Sequence, residues 1–277
     1  GRLITDNAIA FECFDKIQHS KNRGDTHCAY KLDLAKAYDR VDWDFLEGAL
    51  IQLGFDRKWI RWVMICVRSV TFLVQCNGVL LDAFVPSRGL RQGDPLSPYL
   101  FLFVADGLAT LLNREVEEGT ISPLKIARGS PGISNLLFAD DSLLFFKATV
   151  DQARKVKELL DLFQKCSGQL LSHSKCSLLF SEACTDNVRK DIMSTLGVET
   201  STFEGKYLGL PTPEGRMKDE NFQPILENFG KRCNNWNERF MSQAANEVHV
   251  KSIVQSLPIY VMGFLSSTKA SVISMKK

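Results

Sequence analysis

The sequence lacks the cysteine and histidine spacing of a zinc site. Its eight cysteines are scattered, none belongs to a Cys-x-x-Cys pair, and its four histidines show no paired spacing. Isolated cysteines of this kind indicate reduced, mostly structural thiols inside the cell. The chain also has no signal peptide and no apolar run long enough to span a bilayer, since the nearest candidate, residues 96–112, contains Asp106. We therefore expect an intracellular protein that does not enter a membrane.

No single sign of charge dominates the chain. A formal net charge of +2 over 277 residues does not by itself indicate a nucleic-acid partner, although residues 216–277 contain nine basic and only five acidic side chains. A hydrophobic content of 45% allows a sizeable core in one large or two modest domains. Because the chain has no starting Met and stops after a Lys-Lys pair, we expect it to be part of a longer protein.

Two adjacent carboxylates, Asp140 and Asp141, stand between two short apolar runs. The runs, residues 136–138 and 143–146, predict two buried strands, and the Ala-Asp-Asp-Ser between them predicts the tight turn of a hairpin. Like charges held beside apolar walls repel each other, and a divalent cation would offset that repulsion. An ordinary surface turn is the alternative for an isolated Asp-Asp pair, so a third acid is needed to favour a metal site.

Asp33 supplies the third acid. It ends a predicted strand over residues 29–34, and an aromatic residue, Tyr38, follows five positions later. Asp42 is expected to cap the next helix, which Gly54 closes. Three carboxylates on two strand tips favour a metal site over a surface turn.

A loop rich in hydrogen-bond donors lies between the carboxylates in sequence. Asn77-Gly78 predicts a hairpin, and residues 87–98 then read SRGLRQGDPLSP, with two glycines, two arginines, a glutamine and a helix start at Ser-Pro. Alone, this stretch fits a phosphate-contacting loop and a turn-rich connector equally well. Combined with three carboxylates, it completes the parts of a nucleotidyl-transfer site that uses two Mg²⁺ ions about 4 Å apart.

Six stretches, spread over nearly the whole chain, match the motifs of one protein family in that family's order. They are GRLITDN (1–7), KLDLAKAYDRVDW (31–43), RGLRQGDPLSPYLF (88–101), FADDSLLF (138–145), SGQLLSHSKCSLLFS (167–181) and KYLGLP (206–211). On these motifs the chain resembles the reverse transcriptase of a plant non-LTR (LINE-type) retrotransposon. The resemblance implies an α+β right-hand polymerase. Its palm, an antiparallel sheet backed by helices and including the primer-grip region, would cover residues 1–213, and a truncated helical thumb would cover residues 214–277.

The resemblance also implies a set of metal ligands. Asp33, Asp140 and Asp141 would be the catalytic, metal-binding triad, and the carbonyl of Leu34 would be a further ligand. The cofactor would be two Mg²⁺ ions, with Mn²⁺ as a possible replacement. Asp33 and Asp140 would bridge the ions, and Asp141 would be more peripheral because adjacent strand residues point in opposite directions. Three other acids are expected to act as caps or turn formers: Asp39, Asp42 and Asp94.

Further residues would contact the substrates, which the resemblance gives as an RNA template, a DNA primer and dNTPs. Tyr38 would crowd the sugar 2′ position and exclude ribonucleotides, with a buried core tyrosine as the alternative. The run Arg91, Gln92 and Gly93 would pack against the incoming nucleotide and the template base. Lys175 would contact the leaving pyrophosphate, with a solvated surface charge as the alternative. Reverse transcription of this type implies action at chromosomal DNA, and hence in the nucleus.

The chain departs from the family pattern in ways that keep other functions open. The fingers region that normally precedes the GRLITDN stretch and the upstream endonuclease domain are not in this sequence, and we expect both in the full-length protein. Without the fingers we expect weakened nucleotide binding. Ser172 also stands where the family usually has Asn. The alternatives are an inactive remnant of such an element and a non-catalytic RNA-binding module. A viral RNA-dependent RNA polymerase is a further alternative, against which Tyr38 argues because those enzymes usually need a polar residue at that position.

Overall fold

An antiparallel sheet backed by helices forms the centre of the chain, as the sequence predicts. This computed structural model describes residues 8–20, 26–127, 129–138, 141–199, 203, 206–207, 210–211, 227, 242–249 and 251. The chain divides into one unit of Ile17–Phe203 and a second unit that combines residues 1–16 with residues 204–277. The expected boundary between palm and thumb, between residues 213 and 214, lies outside the described residues and stays a prediction.

The central sheet has four strands in the order β4-β5-β1-β6, each antiparallel to its neighbours. Within the described residues the strands are β1 (His27–Asp33), β2 (Gln75–Cys76), β3 (Val79–Leu80), β4 (Asn135–Phe138), β5 (Asp141–Lys147), β6 (Ser177–Phe180), β7 (Lys206–Tyr207) and β8 (Leu210–Pro211). The middle strand β1 pairs over its whole length with β5 and over its first half with β6. Sequentially distant segments therefore meet at β1.

Helices cover one face of this sheet. The described helices are α1 (Ala8–Gln18), α2 (Trp43–Gln52), α3 (Arg57–Arg68), α4 (Ser97–Glu117), α5 (Val150–Ser167), α6 (Asp186–Leu196) and α7 (Gln243–His249). The core cluster joins Tyr30 and Leu32 of β1 and Leu144 of β5 to the apolar faces of α2 to α6. Because side chains alternate along a strand, the residues between these core positions, Lys31 and Asp33 among them, lie on the other face.

The predicted cap at the start of α2 is confirmed, and a glycine ends α5. The carboxylate of Asp42 accepts hydrogen bonds from the backbone N–H groups of Asp44 and Phe45, which satisfies two of the free donors at the start of α2. At the end of α5, Gly168 takes a φ of 74°, the left-handed conformation that glycine adopts most easily. Local sequence thus determines where these helices begin and end.

Two details differ from what the sequence pattern indicates. Asp141 and Ser142, predicted as part of a turn, belong to β5, because cross-strand pairing extends a strand beyond what a hydrophobic run indicates. Leu53 continues the apolar spacing of Leu46 and Leu50 on α2, yet it caps the C-terminus of the helix and is 50% exposed. In residues 206–211, where the sequence pattern indicates a strand and a turn, β7 pairs with β8 in antiparallel register.

The Asn77-Gly78 hairpin is confirmed, with φ of 50° and 83° at the two turn residues. Its paired strands β2 and β3 have two residues each, fewer than the flanking runs of residues 70–76 and 79–85, and its side chains are mostly exposed, Leu80 by 64%. Within the described residues, no helix is both long and apolar enough to cross a membrane.

Replacing Gly168 tests how closely the end of α5 must approach the segment after β1. A Cβ atom at this position would lie 2.5 Å from the backbone oxygen of Arg40, at a positive φ. We therefore expect Gly168→Ala to lower the free energy of unfolding by roughly 2–4 kcal/mol, from backbone strain plus the clash. Urea denaturation followed by circular dichroism would measure the change.

Gly119→Ala is the matched control for this substitution. Gly119 has a similar φ of 78°, but nothing lies within 4 Å of the added Cβ. It should lose only the strain contribution, about 1 kcal/mol. Equal losses in the two variants would show that the approach of Arg40 to Gly168 contributes nothing.

Candidate active site

Asp33 and Asp141 lie directly opposite each other on neighbouring strands. Asp33 is the last residue of β1, Asp141 is the first of β5, and the two are partners in the antiparallel register. The Asp33 carbonyl accepts a hydrogen bond from Ser172 on the other side of β1, so Asp33 and Asp141 form a non-hydrogen-bonded pair. Such pairs have Cα atoms about 4.5 Å apart and side chains on the same face of the sheet. The register thus brings two carboxylates, 108 positions apart in sequence, to one point.

The carbonyl of Leu34 points toward the same place. Leu34 forms an isolated antiparallel bridge with Leu171. The residues on either side make the hydrogen bonds of this bridge. Ala35 N–H donates to Leu170 O at 2.8 Å, and Ser172 N–H donates to Asp33 O at 2.9 Å. In this pattern the polar groups of Leu34 face away from Leu171, on the β5 side. No described residue donates a hydrogen bond to the Leu34 oxygen. This buried carbonyl oxygen is therefore available to another partner.

Asp140 lies outside the described residues. It is bonded to Asp141 in the two-residue link between β4 and β5. Within the described residues no group of three or more His, Cys, Asp or Glu side chains could hold a metal ion. Of the three acids expected to do so, the structure describes Asp33 and Asp141. The expected order of importance of Asp140 and Asp141 stays a prediction.

The segment after α5 braces the loop that follows Asp33. Asp42 N–H donates to Ser167 O at 2.9 Å, and the Arg40 guanidinium donates to Gly168 O at 3.1 Å. The buried amide of Gln169 donates to Ala37 O at 2.9 Å. Together with the Leu34–Leu171 bridge, these contacts hold residues 33–42 along nearly their whole length.

The donor-rich loop is attached to the same segment. Gly89 N–H donates to Val41 O and Leu90 N–H to Tyr38 O, each at 2.8 Å. The indole N–H of Trp43 donates to Gly89 O at 2.8 Å. Gly89, with φ of 94°, has no space for a side chain because a Cβ would lie 2.7 Å from the backbone oxygen of Asp39. Loop and strand tip thus form one connected structure.

The predicted substrate residues of this loop are exposed next to that attachment. The Gln92 amide donates to the Asp39 carboxylate at 3.1 Å, while Arg91 and Gly93 are exposed, Gly93 with a φ of 85°. Asp94 accepts a hydrogen bond from Leu96 N–H, which confirms its expected role as a turn former. The glutamine therefore fixes the direction of the loop, and the arginine is free to reach into solvent.

Tyr38 is half-buried. Its ring stacks on Phe101 of α4, with centroids 4.9 Å apart and an angle of 18° between the planes. The neighbouring loop also contacts its backbone through Leu90. The ring therefore has one face against the core and a fixed orientation, which both the sugar-gate and the core-tyrosine interpretations allow.

Lys175 lies in the turn between the Leu171 bridge and β6. Its backbone N–H donates to Ser172 O at 2.9 Å, and its side chain is exposed. Beside it, burial raises the pKa of the Cys176 thiol even though hydrogen bonding with the Asp33 backbone lowers it. The thiol nearest the two acids is therefore protonated at neutral pH and does not compete with carboxylates for a hard cation.

The sequence interpretation missed three residues that shape this site. Gln169 and Trp43 fasten the loops, and Lys31 is a buried lysine whose Nζ lies 3.8 Å from Asp141 Oδ1. A lysine two positions before a strand-end aspartate was the available signal for Lys31, because the two share a face of the strand. The contacts of Gln169 and Trp43 reach across 132 and 46 positions, and no local pattern indicates them.

Residues 2–212 match the family described as reverse transcriptase (RNA-dependent DNA polymerase). The chain belongs to this family. The match covers most of the chain, and it confirms the family expected from the six motifs.

Relatives of this reverse transcriptase chain include proteins of mobile elements. A Pol polyprotein of the type-1 retrotransposable element R2 from Popillia japonica is 29% identical over 202 residues, which cover 73% of this chain and 31% of that protein. A protein of transposon TX1 from Xenopus laevis is 24% identical over 280 residues, covering 100% of this chain and 21% of that protein. A mitochondrial protein of Arabidopsis thaliana is 44% identical over 78 residues, 28% of this chain and 62% of that protein. The chain thus spans less than two thirds of each of these relatives.

The fold is similar to that of a solved telomerase from Candida tropicalis, in complex with a fragment of telomeric RNA. The TM-score is 0.51 at 16% sequence identity, and the match covers 98% of this chain and 42% of that one. At this level of identity the similarity concerns the fold alone. It confirms the predicted α+β polymerase architecture.

Removing one hydrogen bond tests the attachment of the donor-rich loop. Trp43→Phe keeps an aromatic ring but deletes the N–H that donates to Gly89 O. Loss of one hydrogen bond typically destabilises a structure by about 1 kcal/mol, so the open state of the loop should be populated roughly fivefold more often. Limited trypsin digestion, with mass spectrometry of cleavage after the exposed Arg88 and Arg91, should show faster cutting by that factor.

Trp59→Phe is the control for this measurement. Trp59 stacks on Phe55 in a different part of the unit, and phenylalanine can keep that stack. The control should leave cleavage after Arg88 and Arg91 unchanged. Identical cleavage rates in Trp43→Phe and the parent would contradict the proposed attachment.

Proposed function

We propose that this chain performs the polymerisation step of a retrotransposon reverse transcriptase, extending a DNA primer on an RNA template with dNTPs. The observation that carries the proposal is the pairing of Asp33 with Asp141 at the tip of the sheet. Two carboxylates on one face, beside a free carbonyl, form an anionic, oxygen-rich point that suits hard divalent cations. Membership of the reverse transcriptase family and similarity to retrotransposon proteins support the same reaction.

In this reaction the primer 3′-hydroxyl attacks the α-phosphate of a dNTP and pyrophosphate leaves. Asp33, Asp141 and the Leu34 carbonyl are the described residues that would hold Mg²⁺, and Asp140 would join them. When bound, the ions lower the pKa of the attacking hydroxyl and stabilise charge on the leaving oxygen. The strand register keeps the carboxylates adjacent, and the braced loop of residues 33–42 prevents them from separating.

The remaining proposed contacts surround this point. Arg91 and Gln92 lie on the loop that Trp43 and Tyr38 fasten beside the strand tip, where N–H donors suit phosphate and base edges. Lys175 extends from the turn that is bonded to Asp33 through Ser172, and its exposed ammonium suits the leaving pyrophosphate. Reverse transcription by a mobile element implies chromosomal DNA as the place of action, and hence the nucleus.

Tyr38 is proposed to exclude ribonucleotides. Its ring is supported by Phe101, so it cannot move toward the core when a sugar approaches. A rigid ring next to the 2′ position leaves space for hydrogen but not for a hydroxyl group.

Primer extension tests the proposed reaction. The parent chain should extend a DNA primer on an RNA template with dNTPs and Mg²⁺. Asp33→Asn should reduce incorporation roughly 10³-fold or more, because loss of one metal-binding carboxylate removes several kcal/mol of transition-state stabilisation. Chelation of the metal by EDTA should abolish incorporation in the parent.

Asp151→Asn is the matched control for this experiment. Asp151 lies in the first turn of α5, and its side chain is 90% exposed. The control should retain the activity of the parent. A parent that shows no incorporation but binds RNA in a salt-dependent way would favour a non-catalytic RNA-binding module instead.

Substitution of Tyr38 tests sugar selection. Tyr38→Ala should raise incorporation of ribonucleotides relative to deoxynucleotides by about 10- to 200-fold, the range that a steric change of this size produces. Tyr38→Phe retains the ring and its stack on Phe101 and should keep the selectivity of the parent. Competition between labelled dCTP and CTP in primer extension would measure the ratio. Unchanged selectivity in Tyr38→Ala would support the core-tyrosine interpretation.

A further inference from the structure

Lys31 is a buried lysine on the same face of the sheet as the two acids. Its side chain is only 7% exposed, and its Nζ lies 3.8 Å from Asp141 Oδ1. It stands two residues before Asp33 on β1, about 7 Å along the strand. A buried ammonium is costly unless a negative charge compensates it, and Asp141 provides that charge.

The cross-strand neighbours of Lys31 are uncharged. Its partners in the register are Leu143 on β5 and Ser177 on β6, both buried. Neither side chain carries a charge that could compensate the ammonium. The contact with Asp141 therefore links Lys31 to the strand tip and gives it a place in the electrostatics of the site.

We propose that Lys31 is a positioning residue of the polymerase site that holds the Asp141 carboxylate beside Asp33 and offsets the repulsion between these acids until a divalent cation binds. The inference rests on the proposed function, since it concerns the same metal-binding acids. Lys31 acts through Asp141 and contacts neither substrate nor leaving group. A cation that binds Asp141 shares this carboxylate with the ammonium group of Lys31. The two positive charges repel each other, so each weakens the binding of the other to the carboxylate.

This opposition has a measurable consequence. If Lys31 loses its charge, the acids attract a divalent cation more strongly, because one competing positive charge a few ångströms away has been removed. A metal ion that binds only the folded state raises the free energy of unfolding. Well above Kd, this increase grows with the logarithm of the ratio of metal concentration to Kd. The increase in Tm on adding metal should therefore be larger without the lysine charge. A lysine that only supported the sheet would change Tm equally with and without metal.

Thermal melting of the 277-residue chain in EDTA and across a titration of MnCl₂ tests the proposal. Lys31→Met, which removes the charge but keeps an unbranched chain, should lower roughly tenfold the Mn²⁺ concentration that raises Tm by a fixed increment above its value in EDTA. Lys31→Arg keeps the charge and should behave as the parent does. If Lys31→Met does not fold, Lys31→Gln provides the same test with a polar, uncharged side chain.

Two further variants separate this effect from general ones. Lys147→Met removes a lysine from the far end of the same strand pair, where it is the partner of His27, and should leave that Mn²⁺ concentration unchanged. In an Asp141→Asn background, Lys31→Met should change that concentration far less than tenfold, because the carboxylate through which it mainly acts is gone.

The outcomes distinguish this inference from the proposed function. A parent that is stabilised by Mn²⁺, with the same dependence of Tm on Mn²⁺ in Lys31→Met, would overturn the role of Lys31 and leave the metal site standing. A parent with no response to Mn²⁺ would overturn the metal site and this inference together. A full tenfold effect of Lys31→Met that persists in the Asp141→Asn background would overturn the role of Lys31, because Lys31 would then not act through Asp141.

Discussion

The register between β1 and β5 is the constraint on which the rest of the site depends. A shift of one residue would move Asp33 away from Asp141 and turn one of the two acids toward the helices. The buried residues that alternate with the acids prevent such a shift, since Tyr30, Leu32 and Leu144 must all face the core. The hydrophobic core therefore positions the carboxylates, although none of its side chains belongs to the site. Because the apolar side chains on one face of the sheet must be buried, the charged side chains on the other face are held in fixed positions.

Backbone contacts transmit this placement to the loops. Residues 33–42 have no regular secondary structure of their own over most of their length, yet neighbouring segments hydrogen-bond to them on two sides. Two glycines make the close approach possible, because Gly168 lies against the backbone of Arg40 and Gly89 against that of Asp39. The donor-rich loop and the strand tip that carries Asp33 consequently belong to one connected structure. Such rigidity is what a transfer reaction needs, since small displacements of reacting groups greatly reduce its rate.

Two electrostatic costs at the site, repulsion between the acids and desolvation of a buried lysine, are reduced by one contact. Two carboxylates side by side repel each other, and a buried ammonium pays a desolvation cost. Lys31 next to Asp141 reduces both costs at once. Other acids are used differently: Asp42 and Asp94 bind backbone N–H groups at a helix start and in a turn. Asp39 accepts a hydrogen bond from the amide of Gln92, so residues of the same type serve distinct roles.

Short-range signals in the sequence determined much of this protein by themselves. The Asn-Gly hairpin turn, the Asp42 cap and the glycine at the end of α5 follow from conformational preferences of a few neighbouring residues, and six ordered motifs identified the family. Only the tertiary structure decided which acid pairs with Asp33, that Asp141 starts a strand instead of lying in the turn, and that Lys31, Trp43 and Gln169 surround the site. The physical reason is distance along the chain. Pairing between strands and hydrogen bonds over 46 to 132 positions depend on how separate segments pack, which no local preference contains.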